Sequence, residues 1–254
     1  MKKRLVVANW KMYVKSPERA VQFVRSLRRK TRRFSGVSVA IAPAFPLIPK
    51  VAAALRGSSI HLAAQTLSPY ADEPHTGEVS ASMLKHAGVS FVIIGHSERR
   101  ALGETDEILR AQLRAAAGEG LVPILCVGEK ERDSGGGHFT LLAGQLSAVL
   151  GEKSSKSNIK RLVIAYEPVW AIDKHAEDAM HPAELQETVI FIRKTLADIL
   201  GRPVALRTAI LYGGSVEGEN ARILIAEGGV AGFLVGHASA DIDTFLPILQ
   251  ACVK

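Results

Sequence analysis

LVIAYEPVWAI at 162–172 and PAELQETVIFIRKTLADIL at 182–200 together make one strand-then-helix unit. Leu162–Tyr166 is an apolar run without polar alternation, as expected of a parallel strand covered on both faces. In the second segment Leu185, Val189, Ile192, Leu196 and Ile199 recur at steps of three and four, which places them on one face of a helix. Pro182 suits the first turn of that helix. The carboxylate of Glu167 stands where the strand gives out.

The same unit recurs along the chain. Short apolar, β-branched runs lie at Leu5–Ala8, Val37–Ala42, Ile60–Ala64, Val89–Ile94, Leu121–Val127, Leu162–Tyr166, Thr208–Tyr212 and Ala231–Val235. Helical periodicity follows each of them. Thr105, ahead of Asp106 and Glu107, offers an N-cap and two acids at the positive end of a helix carrying Ile108, Leu109 and Leu113. Eight such units in 254 residues, with no composition break and no linker, predict an α/β fold, a single (β/α)8 barrel over 1–254. A closed barrel fits better than an open doubly wound sheet. Its active site is expected at the C-terminal ends of the strands, so the residues just past each strand carry the functional information.

The formal charge of +7 raises the question of a polyanionic partner. It is unevenly distributed: residues 1–33 hold 12 Lys or Arg against one acid, Glu18, leaving a net −4 over 34–254. Ala20, Val24, Leu27 and Thr31 share one side of the first helix, while Arg25, Arg28, Arg29 and Arg32 cover the rest. That is a solvated outer face. Nucleic-acid binding is not expected, because the nearby aromatics are only Phe23 and Phe34 and no basic groove interleaves with them. No apolar run reaches the roughly 18 residues of a membrane span, and four apolar residues before Asn9 are too few for a signal-peptide core. Two cysteines, Cys126 and Cys252, argue against a disulfide framework and for a reducing, cytoplasmic setting.

The strand ends bring distinct chemistry to one mouth. The first run leads into Asn9-Trp10-Lys11, the fourth into Gly95-His96-Ser97-Glu98, the sixth into Glu167-Pro168-Val169-Trp170, the seventh into Gly213-Gly214-Ser215 and the eighth into Gly236-His237. A carboxylate and an imidazole without a cofactor motif suit proton transfer beside a carbonyl, Glu as base and His polarising the oxygen. Glycine turns after the last two strands suit phosphate, because bare backbone N–H groups can approach its oxygens. Gly213-Gly214-Ser215-Val216-Glu217 lacks the closing glycine of a hydrolase nucleophile elbow. His175 and His181, near Asp178, lack metal-ligand spacing and a third convergent ligand, so no metal is expected. Cys126 reads as a buried strand-end residue.

ANWKM at 8–12, HTGEVS at 75–80, IGHSERR at 94–100, PILCVGE at 123–129, AYEPVWAI at 165–172, LYGGSV at 211–216 and GFLVG at 232–236 resemble, in order and along nearly the whole chain, the triosephosphate isomerases. The resemblance implies a TIM barrel that interconverts dihydroxyacetone phosphate and D-glyceraldehyde 3-phosphate in central sugar metabolism, with no cofactor. It implies Glu167 as the base, a neutral His96 as the electrophile and Lys11 as the cation near phosphate and oxyanion. Asn9 would position the substrate, with Ser215, Gly236 and His237 on the phosphate side and Glu98, Tyr212, Gly213 and Gly214 in support. Segment 168–176 would be a lid, its Trp170, Ala171 and Ile172 excluding water. For the long stretch Gln65–Glu78 the resemblance implies a homodimer in which the loop around Thr76 braces the neighbouring subunit.

Two positions depart from the family pattern. Asp173-Lys174-His175-Ala176 stands where the lid usually carries glycines, and His237 replaces a glycine of the phosphate-binding pair. Asp173 would repel phosphate, and a non-glycine at 237 would be strained if the position needs positive φ, so a weakened phosphate grip is expected. Other readings of the same residues are an isomerase of another small phosphorylated carbonyl compound and a catalytically silent binding protein. Intact Lys11, His96 and Glu167 oppose the silent reading.

Overall fold

Eight parallel strands close on themselves in chain order, β1 (Arg4–Asn9), β2 (Val37–Ala42), β3 (His61–Ala64), β4 (Val89–Ile94), β5 (Val122–Val127), β6 (Val163–Tyr166), β7 (Ala209–Tyr212) and β8 (Gly232–Val235), with β8 pairing back onto β1. The structure is a computed structural model and describes residues 3–32, 34–70, 73–132, 135–151, 161–172, 174 and 179–253. Its described helices are α1 (Pro17–Thr31), α2 (Ile48–Leu55), α3 (Ala81–His86), α4 (Ser97–Ala101), α5 (Asp106–Gly118), α6 (Gly137–Leu150), α7 (Pro182–Leu200), α8 (Arg202–Arg207), α9 (Gly218–Glu227) and α10 (Ile242–Ala251).

The expected helix faces are the buried ones. In α7, Leu185, Val189, Ile192 and Leu196 are buried and Ile199 is half-buried. In α1, Ala20, Phe23, Val24 and Leu27 are buried, while Arg25, Arg29 and Arg32 are exposed. Burying a side chain such as Leu27 contributes about 1.5–3 kcal/mol. Arg28 departs from the simple outer-face picture, since its guanidinium donates to the Ala54 carbonyl of α2 at 2.7 Å. Ser16 and Thr105 cap α1 and α5, their side-chain oxygens accepting from the Arg19 and Ile108 N–H groups.

Strand period two separates two cores and positions the site. On β1, Leu5 and Val7 face the barrel interior with Ala40, Ala63 and Ile124, whereas Val6 and Ala8 pack outward against the helices. Counting on by two, Leu5 and Val7 lead to Asn9, Val163 and Ala165 to Glu167, Leu211 to Gly213, and Leu234 to Gly236. Those four positions therefore stand on the inward register directly above the plug of apolar side chains. Several strand starts fall one residue later than the apolar runs suggest. Thr208 belongs to the end of α8 instead, its N–H and its hydroxyl both donating to Val204 O at 3.0 Å.

Candidate active site

A cavity of about 430 Å³ opens at the C-terminal ends of the strands, lined by Asn9, Lys11, His96 and Glu167 on one side and by Gly213–Glu217 and Gly236–His237 on the other. Glu167 is 2% exposed and follows β6 on a turn held from both neighbouring strands. Its N–H donates to Val127 O at 2.8 Å, and the Gly213 N–H donates to Tyr166 O at 2.8 Å. One carboxylate oxygen, Oε2, accepts from the Ser97 N–H at 3.1 Å, and Oε1 lies 3.3 Å from His96 Nε2.

His96 is the N-cap of α4, and the Glu98 N–H donates to its Nδ1 at 3.2 Å. An accepting Nδ1 carries no proton, so the neutral ring bears its hydrogen on Nε2, aimed at Glu167 and the cavity. Carboxylate and imidazole are thus neighbours.

Lys11 is the sole described non-glycine residue with positive φ, at 43°. Strain of this kind persists where surroundings over-determine it. Here Asn9 Oδ1 accepts from the Lys11 N–H at 3.3 Å, and Gln65 Nε2 donates to Lys11 O at 3.0 Å and Ala42 O at 2.9 Å. The Lys11 ammonium donates to Glu98 Oε1 at 2.7 Å. Burial alone would raise the Glu98 pKa, but the hydrogen bond and charge of Lys11 outweigh it and take that carboxyl below its ordinary value. Beneath Glu167, Cys126 is fully buried, and burial followed by the nearby carboxylate pushes its thiol well up. It is a protonated core residue rather than a nucleophile.

On the opposite wall, the reason for glycine differs from the expected one at Gly213. Its N–H is already used by Tyr166, and the constraint is room, since a Cβ there would lie 2.8 Å from Glu167 Cγ. Gly214 likewise leaves space for the buried Tyr212 ring, which does not line the cavity itself. Among the described residues the N–H groups of Gly214, Gly236 and His237 donate to no protein acceptor, which leaves them available to an anion. The strain expected at His237 is absent, because its φ is not positive. Its exposed ring stands edge-to-face with Tyr13, centroids 5.2 Å apart, at the cavity rim.

The start of the lid is tied down from two directions. The Ser215 N–H donates to Ala171 O at 3.0 Å, and the Lys174 N–H donates to Ser215 Oγ at 2.8 Å. Trp170 Nε1 donates to Glu129 Oε1 at 2.9 Å, where the Tyr166 hydroxyl also donates at 2.8 Å. Ile172 and Lys174 line the cavity. Asp173, His175 and Asp178 lie outside the described residues, so the expected repulsion from Asp173 has no structural counterpart here. Thr76 is exposed on the long stretch after β3 and takes no part in this chain's own cavity.

A family profile described as triosephosphate isomerase matches residues 4–252. The chain belongs to the triosephosphate isomerase family. A triosephosphate isomerase of Carboxydothermus hydrogenoformans is 42% identical over 256 residues, covering all of both chains. One from Symbiobacterium thermophilum is 41% identical, covering all of this chain and 98% of its own, and one from Fusobacterium nucleatum is 40% identical over 98% and 99%.

Glu129 and Gln65 also support this triosephosphate isomerase site, outside the strand-end residues singled out above. Glu129 is 1% exposed and joins strand β6 to Trp170, and an acid two residues past an uncharged strand was the available signal. Gln65 opens the long loop and braces Lys11 across 54 residues of sequence, which no local pattern announces.

Proposed function

We propose that this cavity interconverts dihydroxyacetone phosphate and D-glyceraldehyde 3-phosphate by carrying a proton between adjacent carbons. Glu167 takes the proton from the carbon beside the carbonyl, the C–H electron pair becomes a C=C bond, and the carbonyl oxygen takes up the charge. His96 Nε2–H stabilises that enediolate oxygen and protonates it, and the ring takes up the hydroxyl proton of the neighbouring carbon, whose oxygen becomes the new carbonyl. Glu167 returns its proton to the carbon that was the carbonyl. The observation that carries this reading is the 3.3 Å approach of a buried carboxylate oxygen to the imidazole Nε2, at the wall of the cavity. Lys11 supplies positive charge, Asn9 positions the substrate, and Ser215, Gly236 and His237 face the phosphate. Trp170, Ala171 and Ile172 keep water from the enediolate, which would otherwise lose phosphate. A coupled steady-state assay tests the activity: turnover of D-glyceraldehyde 3-phosphate is expected, and turnover confined to a different phosphorylated carbonyl compound would overturn it.

The working form proposed is a cytoplasmic homodimer of 1–254 barrels, with the loop around Thr76 inserted into the partner. Exposed Met12, Tyr70, Met83 and Leu102 support it, since they fall on the exits of β1, β3 and β4 and on the helix between β3 and β4, the β1–β4 half of the barrel. Two free buried thiols, Cys126 and Cys252, accord with a reducing compartment. Light scattering after size exclusion is expected to give twice the mass of one chain, and a monomer at micromolar concentration would refute the dimer.

A further inference from the structure

We infer that Gln145 is a positioning residue for the base, acting through Gly128; the inference rests on the reading of Glu167 as base. Gln145 lies on α6, half-buried beside the buried Leu146, and its amide makes two hydrogen bonds with a single residue across 17 positions. The Gly128 N–H donates to Gln145 Oε1 at 2.9 Å, and Gln145 Nε2 donates to Gly128 O at 3.0 Å. A side chain thereby replaces the strand neighbour that Gly128 loses where β5 ends.

Gly128 is the surface against which the base rests. A Cβ on it would overlap the Glu167 carbonyl oxygen and come within 3.2 Å of Glu167 Cα. The residue before it, Val127, accepts the Glu167 N–H at 2.8 Å. The residue after it, Glu129, accepts the Val169 N–H at 2.8 Å on its carbonyl and the Tyr166 hydroxyl and Trp170 indole on Oε1. Three consecutive residues therefore carry the backbone of the base and the first turn of the lid, and Gln145 fixes the middle one to the outer helix.

A purely structural link would add stability without touching the chemical step. A positioning role predicts something more specific, because a misplacement of about 1 Å costs on the order of a hundredfold in rate, while the loops after β7 and β8 stay where they are. The test is Gln145→Met, which keeps length and removes both hydrogen bonds. Its kcat is expected to fall at least about tenfold, with KM and inhibition by inorganic phosphate changed less than about threefold and the circular dichroism native. A kcat within about twofold of wild type would overturn the inference, as would a kcat loss matched by an equal loss of phosphate affinity. Gln145→Glu keeps an acceptor for the Gly128 N–H and loses the donor, so an intermediate kcat is expected. It decides the matter if the methionine variant does not fold, a wild-type kcat then counting against the inference. Glu167→Gln in the same assay separates the two readings: activity retained there removes Glu167 as base, whereas an inactive Glu167→Gln beside an unaffected Gln145 series removes Gln145 alone.

Discussion

Glu167→Gln is expected to lower kcat by about a thousandfold, within the 10²–10⁴ range typical of positioned general bases, with the fold intact. The substitution is nearly isosteric in a place with no spare room, since Gly213 already has to lack a Cβ to clear Glu167 Cγ. The amide oxygen can still accept from the Ser97 N–H that now holds Oε2, so the geometry survives. What is lost is the ability to take a proton from carbon. KM should change little, because the groups proposed to face the phosphate lie on the loops after β7 and β8 and are untouched. A steady-state assay beside a circular dichroism spectrum checks this, and a variant retaining a tenth of the wild-type kcat would show that another group abstracts the proton.

Lys11→Met is expected to cost about 10²–10³ in kcat/KM, the range found when one donor at a developing oxyanion is removed, with both a higher KM and a lower kcat. At an effective dielectric near 20, a unit charge about 4 Å from another contributes roughly 4 kcal/mol, and a phosphate dianion and an enediolate both draw on it. The loss has a second component. Glu98, now ion-paired with Lys11 at 2.7 Å, would be left facing an anionic substrate. Lys11→Met combined with Glu98→Gln should therefore recover part of the KM defect. Lys and Met pay the same backbone strain at φ 43°, so the comparison isolates the charge. Kinetics of the single and double variants within tenfold of wild type would contradict a role for this ammonium.

The barrel was legible because parallel strands buried on both faces leave continuous apolar runs, and because the intervening helices keep a one-sided stripe such as Leu185, Val189, Ile192 and Leu196. Strand limits were less so. Ile60 and Thr208 have the apolar or β-branched character of a strand, yet the Ile60 N–H donates to Ser58 Oγ and Thr208 bonds back into α8, so local hydrogen bonds claim them for turns and caps. Within the site, Asn9, Lys11, His96 and Glu167 could be read because each lies at the end of a strand or within two residues of it. Glu129, Gln65 and Gln145 bond across long sequence separations to side chains or backbone groups of other segments, and nothing periodic marks them. At Gly213 the right residue was singled out for a different reason, donor access instead of clearance for Glu167. His237 would be strained only at positive φ, but the chain turns there without it, and among the described residues its N–H donates to no acceptor.

In the proposed mechanism a proton leaves one carbon of the triose, rests on Glu167 and returns to the next. Isomerisation by the wild-type protein in deuterium oxide, with the product examined by proton NMR, follows that proton. A carboxylate that holds the proton exchanges it with solvent during part of each turnover, so deuterium is expected on the carbon that receives it. Full turnover with no deuterium at that carbon would mean direct hydride transfer between the carbons and would contradict the role given to Glu167.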